Sequence, residues 1–209
     1  MKVPPHIRRQ RSPRAPRRIG IFGGSFDPPH IGHLIVAQAA VEQLELDTVT
    51  FVPAFTPPHK IENDRSPASA RLAMVKLAVR GNTRFDVSDF EVKRKGISFT
   101  VDTLRHFMSR FENAQLFVLI GGDSLSQFFT WKEPEEILNL AQLVVYPRTL
   151  QNLAEIPSML PRAMVLKGAL IEISSTELRL KVSHRESIRY FVPESVARYV
   201  RTHHLYTRS

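Results

Sequence analysis

No cysteine occurs among the 209 residues. That excludes a disulfide scaffold, a thiolate zinc site, an iron–sulfur cluster and a cysteine nucleophile, and it suits a reducing compartment. Long apolar runs are missing as well. Stretches such as Leu116 to Ile120 fall far short of the roughly 20 residues that cross a bilayer, so the sequence predicts a soluble, cytoplasmic protein with no membrane partner. Acidic residues are absent from Met1 to Arg18, where seven basic residues (Lys2, Arg8, Arg9, Arg11, Arg14, Arg17 and Arg18) sit among four prolines. The prolines argue against an amphipathic transit helix, and no apolar signal core follows, so neither import nor secretion is expected. Residues 1–18 read as a basic, solvated tail, with a nucleic-acid or polyanion arm as the alternative.

What remains, residues 19–209, reads as one domain large enough to bury roughly 70% of the surface its unfolded chain would expose. The formal charge of +9 is mostly tail, since 22 Lys and Arg face 20 Asp and Glu from Ile19 onward. Short β-rich runs alternate with helical stretches, the pattern of βαβ units and a doubly wound parallel sheet. Strands are expected at Ile19–Phe22, Thr48–Val52, Arg84–Phe90, Gln115–Ile120 and Leu143–Tyr146, with weaker ones at Met164–Leu166 and Leu170–Ile173. Helices are expected at Ile31–Leu46, Thr100–Phe111, Glu133–Leu140, Ser175–Val182 and from Pro193 to about His203. Ser66-Pro67 reads as an N-cap and first helical residue, opening a further helix to about Arg80. Pro-Pro-His occurs twice, at 28–30 and 57–59, without a domain-scale repeat.

Ligands of open parallel sheets bind beyond the carboxyl ends of the strands. Gly23-Gly24-Ser25-Phe26-Asp27-Pro28-Pro29-His30-Ile31-Gly32-His33 stands at the first such end. Two glycines allow close backbone approach, and a helix starting near Ile31 aims unpaired N–H groups and its positive dipole end at the crevice, which suits a phosphate. His30 and His33, three residues apart, share a helical face and can both donate to phosphate oxygens, while Gly32 removes a side chain that would block the ligand. Paired histidines also bind zinc, but no third ligand is evident nearby. The G-x-G-x-x-G fingerprint of dinucleotide-binding folds is lacking here. Late in the chain Ile173-Ser174-Ser175-Thr176-Glu177-Leu178-Arg179 combines a strand end, hydroxyl cap residues and an arginine one turn in, a second anion site or an ordinary capped helix.

The His-Ile-Gly-His tetrad with its Gly-Gly-Ser-Phe-Asp-Pro lead resembles the nucleotidylyltransferase superfamily. Class I aminoacyl-tRNA synthetases share the tetrad, but their Lys-Met-Ser-Lys-Ser signature is missing. Further segments narrow the resemblance: Phe51-Val52-Pro53 leading to Pro57-Pro58-His59-Lys60, Ser98-Phe99-Thr100-Val101-Asp102-Thr103-Leu104, Ile120-Gly121-Gly122-Asp123-Ser124 with Trp131-Lys132, and Val192-Pro193-Glu194-Ser195-Val196 with Leu205-Tyr206. In order and approximate spacing they are similar to the bacterial nicotinate-nucleotide adenylyltransferase family, from about Ile19 to Tyr206. The resemblance implies a Rossmann-like fold of nucleotidylyltransferase type with C-terminal helices. It also implies an enzyme of NAD synthesis that joins ATP and nicotinate mononucleotide to give deamido-NAD and pyrophosphate.

By the same resemblance His30, His33 and Arg179 are catalytic. Gly23, Gly24, Ser25, Phe26, Gly121, Asp123, Ser174, Ser175 and Thr176 bind ATP, with Gly121 and Asp123 toward the ribose. Thr100 and Trp131 recognise the nicotinate, with Lys60 on a substrate loop. Mg²⁺ is expected to be held mainly by the ATP phosphates, with no metal site built from protein side chains. Three positions depart from the family pattern. Phe99 stands for a common tyrosine, Gly122 for an alanine, and Tyr146-Pro147-Arg148 puts proline before the arginine, so the resemblance carries no role to Arg148. Left open are transfer to nicotinamide mononucleotide or phosphopantetheine, and an inert nucleotide-sensing or nucleic-acid-binding protein that uses the basic arm. Oligomeric state is also open.

Overall fold

The structure is a computed structural model that describes residues 16–58, 65–149, 156 and 160–207. Its centre is a six-stranded parallel sheet in the order β3-β2-β1-β4-β5-β6. The strands are β1 (Arg17–Gly24), β2 (Thr48–Pro53), β3 (Phe85–Val87), β4 (Ala114–Gly121), β5 (Ala141–Tyr146) and β6 (Met164–Val165). The described helices are α1 (Ile31–Gln43), α2 (Ala68–Ala78), α3 (Phe90–Arg94), α4 (Thr100–Arg110), α5 (Pro134–Leu140), α6 (Ser175–Ser183) and α7 (Glu194–Thr202). Two 3₁₀ turns, Gly122–Ser124 and Phe128–Thr130, follow β4.

The strands read as continuous apolar runs because both sheet faces are covered. On one face Ile19, Ile21, Leu116, Val118, Ile120, Leu143 and Val145 pack against Leu104 and Phe107 of α4 and Ile137 of α5. Their neighbours Phe22, Phe117, Leu119 and Val144 point the other way, onto Ala37, Ala40 and Val41 of α1 and Val75 of α2, as the two-residue period of a strand demands. A third cluster joins Met74 of α2 to Leu178 of α6 and Val196 and Val200 of α7. This cluster docks the C-terminal helices beside the loops that leave β1 and β2. The strand order reverses between β1 and β4, which leaves the crevice where such sheets take ligands.

Several boundaries differ from the sequence reading. The tail does not reach residue 18, because Arg17 and Arg18 begin β1 and pair with Ala114 and Gln115. Arg18 donates from its backbone to Asp47 at 2.7 Å, from Nε to the Leu44 carbonyl and from Nη1 to Gln115, and its guanidinium stacks on Phe117. These are structural arginines, while residues 1–15 lie outside the described residues. The expected strand 84–90 is only Phe85–Val87, after which Phe90–Arg94 makes one helical turn too short to show periodicity. Residues 170–173 form no strand. Ser66 does not cap α2: Pro67 takes the N-cap position, while the Ser66 N–H and carbonyl are bonded to Asp27 and Arg71.

Candidate active site

The carboxyl ends of β1, β4 and β5 open into a cavity of about 1080 Å³, at the upper end of the range for small-molecule sites. Its wall brings together most of the residues singled out in the sequence: Gly23, Gly24, Ser25, Phe26, His30 and His33 from the first junction, Gly121 and Asp123 after β4, and Ser174, Ser175, Thr176 and Arg179 at the start of α6. Thr100 and Trp131 are not on that wall. Thr100 opens α4 and Trp131 packs at 5.6 Å from Phe128, both half-buried. They share a neighbourhood, because Phe99 and Trp131 lean on one core cluster and the Lys132 ammonium stands over the Phe99 ring. Lys60 and His59 lie outside the described residues.

His30 is the N-cap of α1 and is buried. Its ring stacks on His33 with centroids 3.7 Å apart. The His30 backbone N–H donates to Nδ1 of His33 at 3.1 Å, which leaves the proton of a neutral His33 on Nε2. Burial, with Arg148 nearby, pushes the His30 pKa down to about 4. Burial first, then the neighbouring His30 and Arg148, holds His33 well below the ordinary histidine range. The pair is therefore neutral at pH 7, offering N–H donors rather than charges. Among the described residues, His30 Nδ1 is buried without a hydrogen-bond partner. Gly32 lines the cavity and also makes room for the pair: a Cβ there would lie 3.0 Å from His30 Nδ1 and 3.2 Å from Ile171, so it would press on the ring.

A stability prediction follows from the sign of the His30 shift. Between pH 6.5 and about 4 the unfolded chain binds a proton at His30 that the folded chain refuses, so stability is full above pH 6.5 and falls as the pH drops toward 4. The expected loss from this group is about 3 kcal/mol. Thermal denaturation of the wild type and His30→Gln across pH 4 to 7 checks it. The melting curves of the two should converge as the pH falls, and parallel profiles would contradict the assignment.

The phosphate-loop candidate is rigid for reasons spread over the chain. Phe26 has a left-handed φ of 49°, and its buried ring packs edgewise on Phe22 and His33. A Cβ on Gly24 would touch that ring at 3.0 Å. The next residue, Asp27, is 2% exposed. Its carboxylate accepts hydrogen bonds from the Tyr206 hydroxyl at 2.6 Å and the Ser66 N–H at 3.2 Å. Arg71, also 2% exposed, donates to the carbonyls of Ser25, Phe55 and Ser66. One guanidinium thus ties the loop after β1 to the loop after β2.

The second motif is docked onto the first. Ser174 caps α6 by accepting from the Glu177 N–H, and Glu177 returns the bond to the Ser174 N–H. Ser175 Oγ donates to the Pro28 carbonyl at 2.9 Å, and Arg179 Nη1 to the Asp27 carbonyl at 2.9 Å, while Nη2 reaches Thr176 Oγ1. Helix α1 offers fewer donors than expected, because its first N–H is bonded to the Phe191 carbonyl. Two cations on the wall were not among the sequence candidates. Arg65 donates to Ser25 Oγ at 3.3 Å. Arg148 donates to Asp123 at 3.0 Å and to the Ile173 carbonyl at 2.9 Å, linking the β4 end to the approach of α6. Asp123 in turn folds back over Gly121, where a Cβ would lie 2.4 Å from its Oδ1.

Carboxylates suited to a metal are scarce on this wall. Asp27 and Asp123 already accept the bonds just described, and among the described residues no cluster of three or more His, Asp or Glu is placed to hold an ion. The donor set, three arginines and two neutral histidines around N-terminal helix turns, is chemically matched to phosphate oxygens instead.

Sheet order and cleft together define a Rossmann-like α/β protein with an open cleft at its switch point. The chain belongs to the cytidylyltransferase-like family, whose model matches residues 21–181. It is 43% identical over 195 residues to the probable nicotinate-nucleotide adenylyltransferase of Thermomicrobium roseum, covering 90% of this chain and 91% of the relative. It is 40% identical over 190 residues to the protein of the same name in Salinibacter ruber, covering 90% and 97%. The fold is similar to that of Plasmodium falciparum nicotinic acid mononucleotide adenylyltransferase complexed with NaAD, at TM-score 0.76 and 18% identity over 91% of this chain and 97% of that one.

Proposed function

We propose that this nucleotidyltransferase moves the adenylyl group of ATP to nicotinate mononucleotide, forming deamido-NAD and pyrophosphate. The observation that carries the reading is the convergence of the neutral His30–His33 pair and the Arg179 motif on one crevice of about 1080 Å³. The names of the 40–43% identical relatives supply the substrates.

In this reading a phosphate oxygen of the acceptor attacks the α-phosphorus of ATP, the bond to the bridging oxygen breaks, and pyrophosphate leaves. No protein nucleophile is needed, so rate comes from positioning and from charge stabilisation. The Nε2–H of His33 and the ring of His30 face the transferring phosphate, and the backbone at Gly24 and Ser25 takes its other oxygens. Gly23, where a Cβ would meet none of the described residues within 4 Å beyond its chain neighbours, leaves room for that approach. Ser175, Thr176 and Arg179 hold the departing β- and γ-phosphates. Asp123, positioned by Arg148, faces the adenosine ribose. Thr100 and Trp131, outside the main cavity wall, hold the pyridine ring and its carboxylate, with Lys60, which lies outside the described residues, as a further contact. Mg²⁺ enters as part of the Mg–ATP substrate, consistent with a wall that offers donors to phosphate and few oxygens to a metal.

The test is pyrophosphate release with ATP and Mg²⁺, comparing nicotinate mononucleotide, nicotinamide mononucleotide and phosphopantetheine as acceptors. Nicotinate mononucleotide should give the highest kcat/KM. Preference for the amide would overturn the substrate, and no release with any acceptor would favour a nucleotide-sensing protein.

A further inference from the structure

We propose that Tyr206, near the C-terminus, is a positioning residue for adenylyl transfer, its hydroxyl anchoring Asp27 and thereby setting the phosphate loop against the Arg179 helix. The proposal rests on the function inferred above and concerns a residue remote in sequence from both phosphate motifs.

Tyr206 lies just beyond α7, in a left-handed backbone conformation with φ 63°. A tyrosine adopts that conformation only when its surroundings over-determine it. Two things do so. The ring packs in the cluster formed by α2, α6 and α7, and the hydroxyl donates to Asp27 Oδ1 at 2.6 Å. Burial and the adjacent carboxylate push the phenol pKa upward, so it remains a donor at any working pH.

Asp27 is where the two halves of the site meet. Its side chain is held by Tyr206 and Ser66, its carbonyl receives Arg179 Nη1, and the following carbonyl, Pro28, receives Ser175 Oγ. Deleting the donor leaves an oxygen of this buried carboxylate unsatisfied, which costs free energy. Without the Tyr206 hydroxyl, Oδ1 is left to turn toward another donor, and Arg71 carries a charge that already interacts with it. Turning the side chain tilts the peptide that holds Arg179. Displacements of about 1 Å in such clamps are enough to cost orders of magnitude in rate.

The test is Tyr206→Phe, which keeps the ring and deletes the hydroxyl, with Leu205→Ala as a packing control in the same cluster. All measurements are made well below the melting temperature of each variant. Tyr206→Phe should lower kcat on the order of 10-fold and weaken ATP binding by titration calorimetry about fivefold, while the KM for nicotinate mononucleotide stays within about twofold. Leu205→Ala should lower the melting temperature and leave kcat and ATP affinity intact. Wild-type kcat and ATP affinity in Tyr206→Phe would overturn the proposal, as would equal losses in the two variants. The ATP titration separates this proposal from the substrate assignment. A wild type that binds ATP but does not use nicotinate mononucleotide refutes the latter, and the Tyr206→Phe shift in ATP affinity still decides the former. A wild type that fails to bind ATP overturns both.

Discussion

His33→Ala is expected to lower kcat by on the order of 10²-fold or more with the fold intact, and His30→Ala to do the same. The magnitude follows from deleting one preorganised donor to a transition state. Preorganisation is visible in the ground state. The His30 N–H holds Nδ1 of His33, the rings are stacked, and burial keeps both neutral. A neutral, preorganised donor stabilises developing negative charge without reorganising at the moment of reaction. His33→Gln, which retains an N–H donor on a side chain of other reach, should recover part of the loss. Steady-state kinetics with saturating ATP and nicotinate mononucleotide check the prediction. Near-wild-type turnover in a folded His33→Ala variant would remove the histidines from the mechanism.

Arg71→Leu should destabilise the protein by about 3 kcal/mol or more. Leucine fills much of the space, so the loss is electrostatic rather than a cavity effect. Three carbonyls, those of Ser25, Phe55 and Ser66, would lose their donor, and buried Asp27 would lose the neighbouring positive charge. Removing one partner from a buried charge system typically costs 3–5 kcal/mol. Arg71→Lys should recover little, because an ammonium cannot span three carbonyls in the fixed fork of a guanidinium. Urea unfolding of the three proteins measures this, and a midpoint for Arg71→Leu within error of wild type would show the network to be dispensable.

Much of this architecture was legible beforehand, and the reasons differ by element. The central strands β1 and β4 are uninterrupted apolar runs ending in Gly-Gly, so their existence and the location of the crevice followed from burial on both faces and from strand-end chemistry. Their true ends were less readable. Arg17 looked like tail because its neighbours are basic and proline-rich, yet pairing with β4 recruits it to the sheet. Ser66-Pro67 looked like a helix start, but a tertiary contact to Asp27 claimed the serine. The site motifs are readable in the sequence because each is local: a glycine turn, a histidine pair three apart, a hydroxyl-rich cap with an arginine one turn later.

What the sequence hid is the wiring between motifs. Arg71 contacts residues 5, 16 and 46 positions away in the chain, and no periodicity encodes that. One signal was available: Arg71, Met74 and Val75 fall at i, i+3 and i+4 and are the buried residues of α2. A cation on the apolar stripe of a helix is a candidate for a structural clamp. Proline before Arg148 breaks the family pattern and masks its role in the sequence, although its place two residues beyond β5 puts it on the strand-end rim where ligands bind. Asp27 and Tyr206 are separated by 179 positions, and only the packing of α7 on α2 brings them together.

The most direct test of the account is to analyse all products of a reaction containing ATP, Mg²⁺ and nicotinate mononucleotide by ³¹P NMR. Attack at the α-phosphorus predicts deamido-NAD and pyrophosphate in equal amounts, with no ADP and no phosphorylated mononucleotide. Formation of ADP or inorganic phosphate in place of pyrophosphate, or the absence of any dinucleotide, would contradict it.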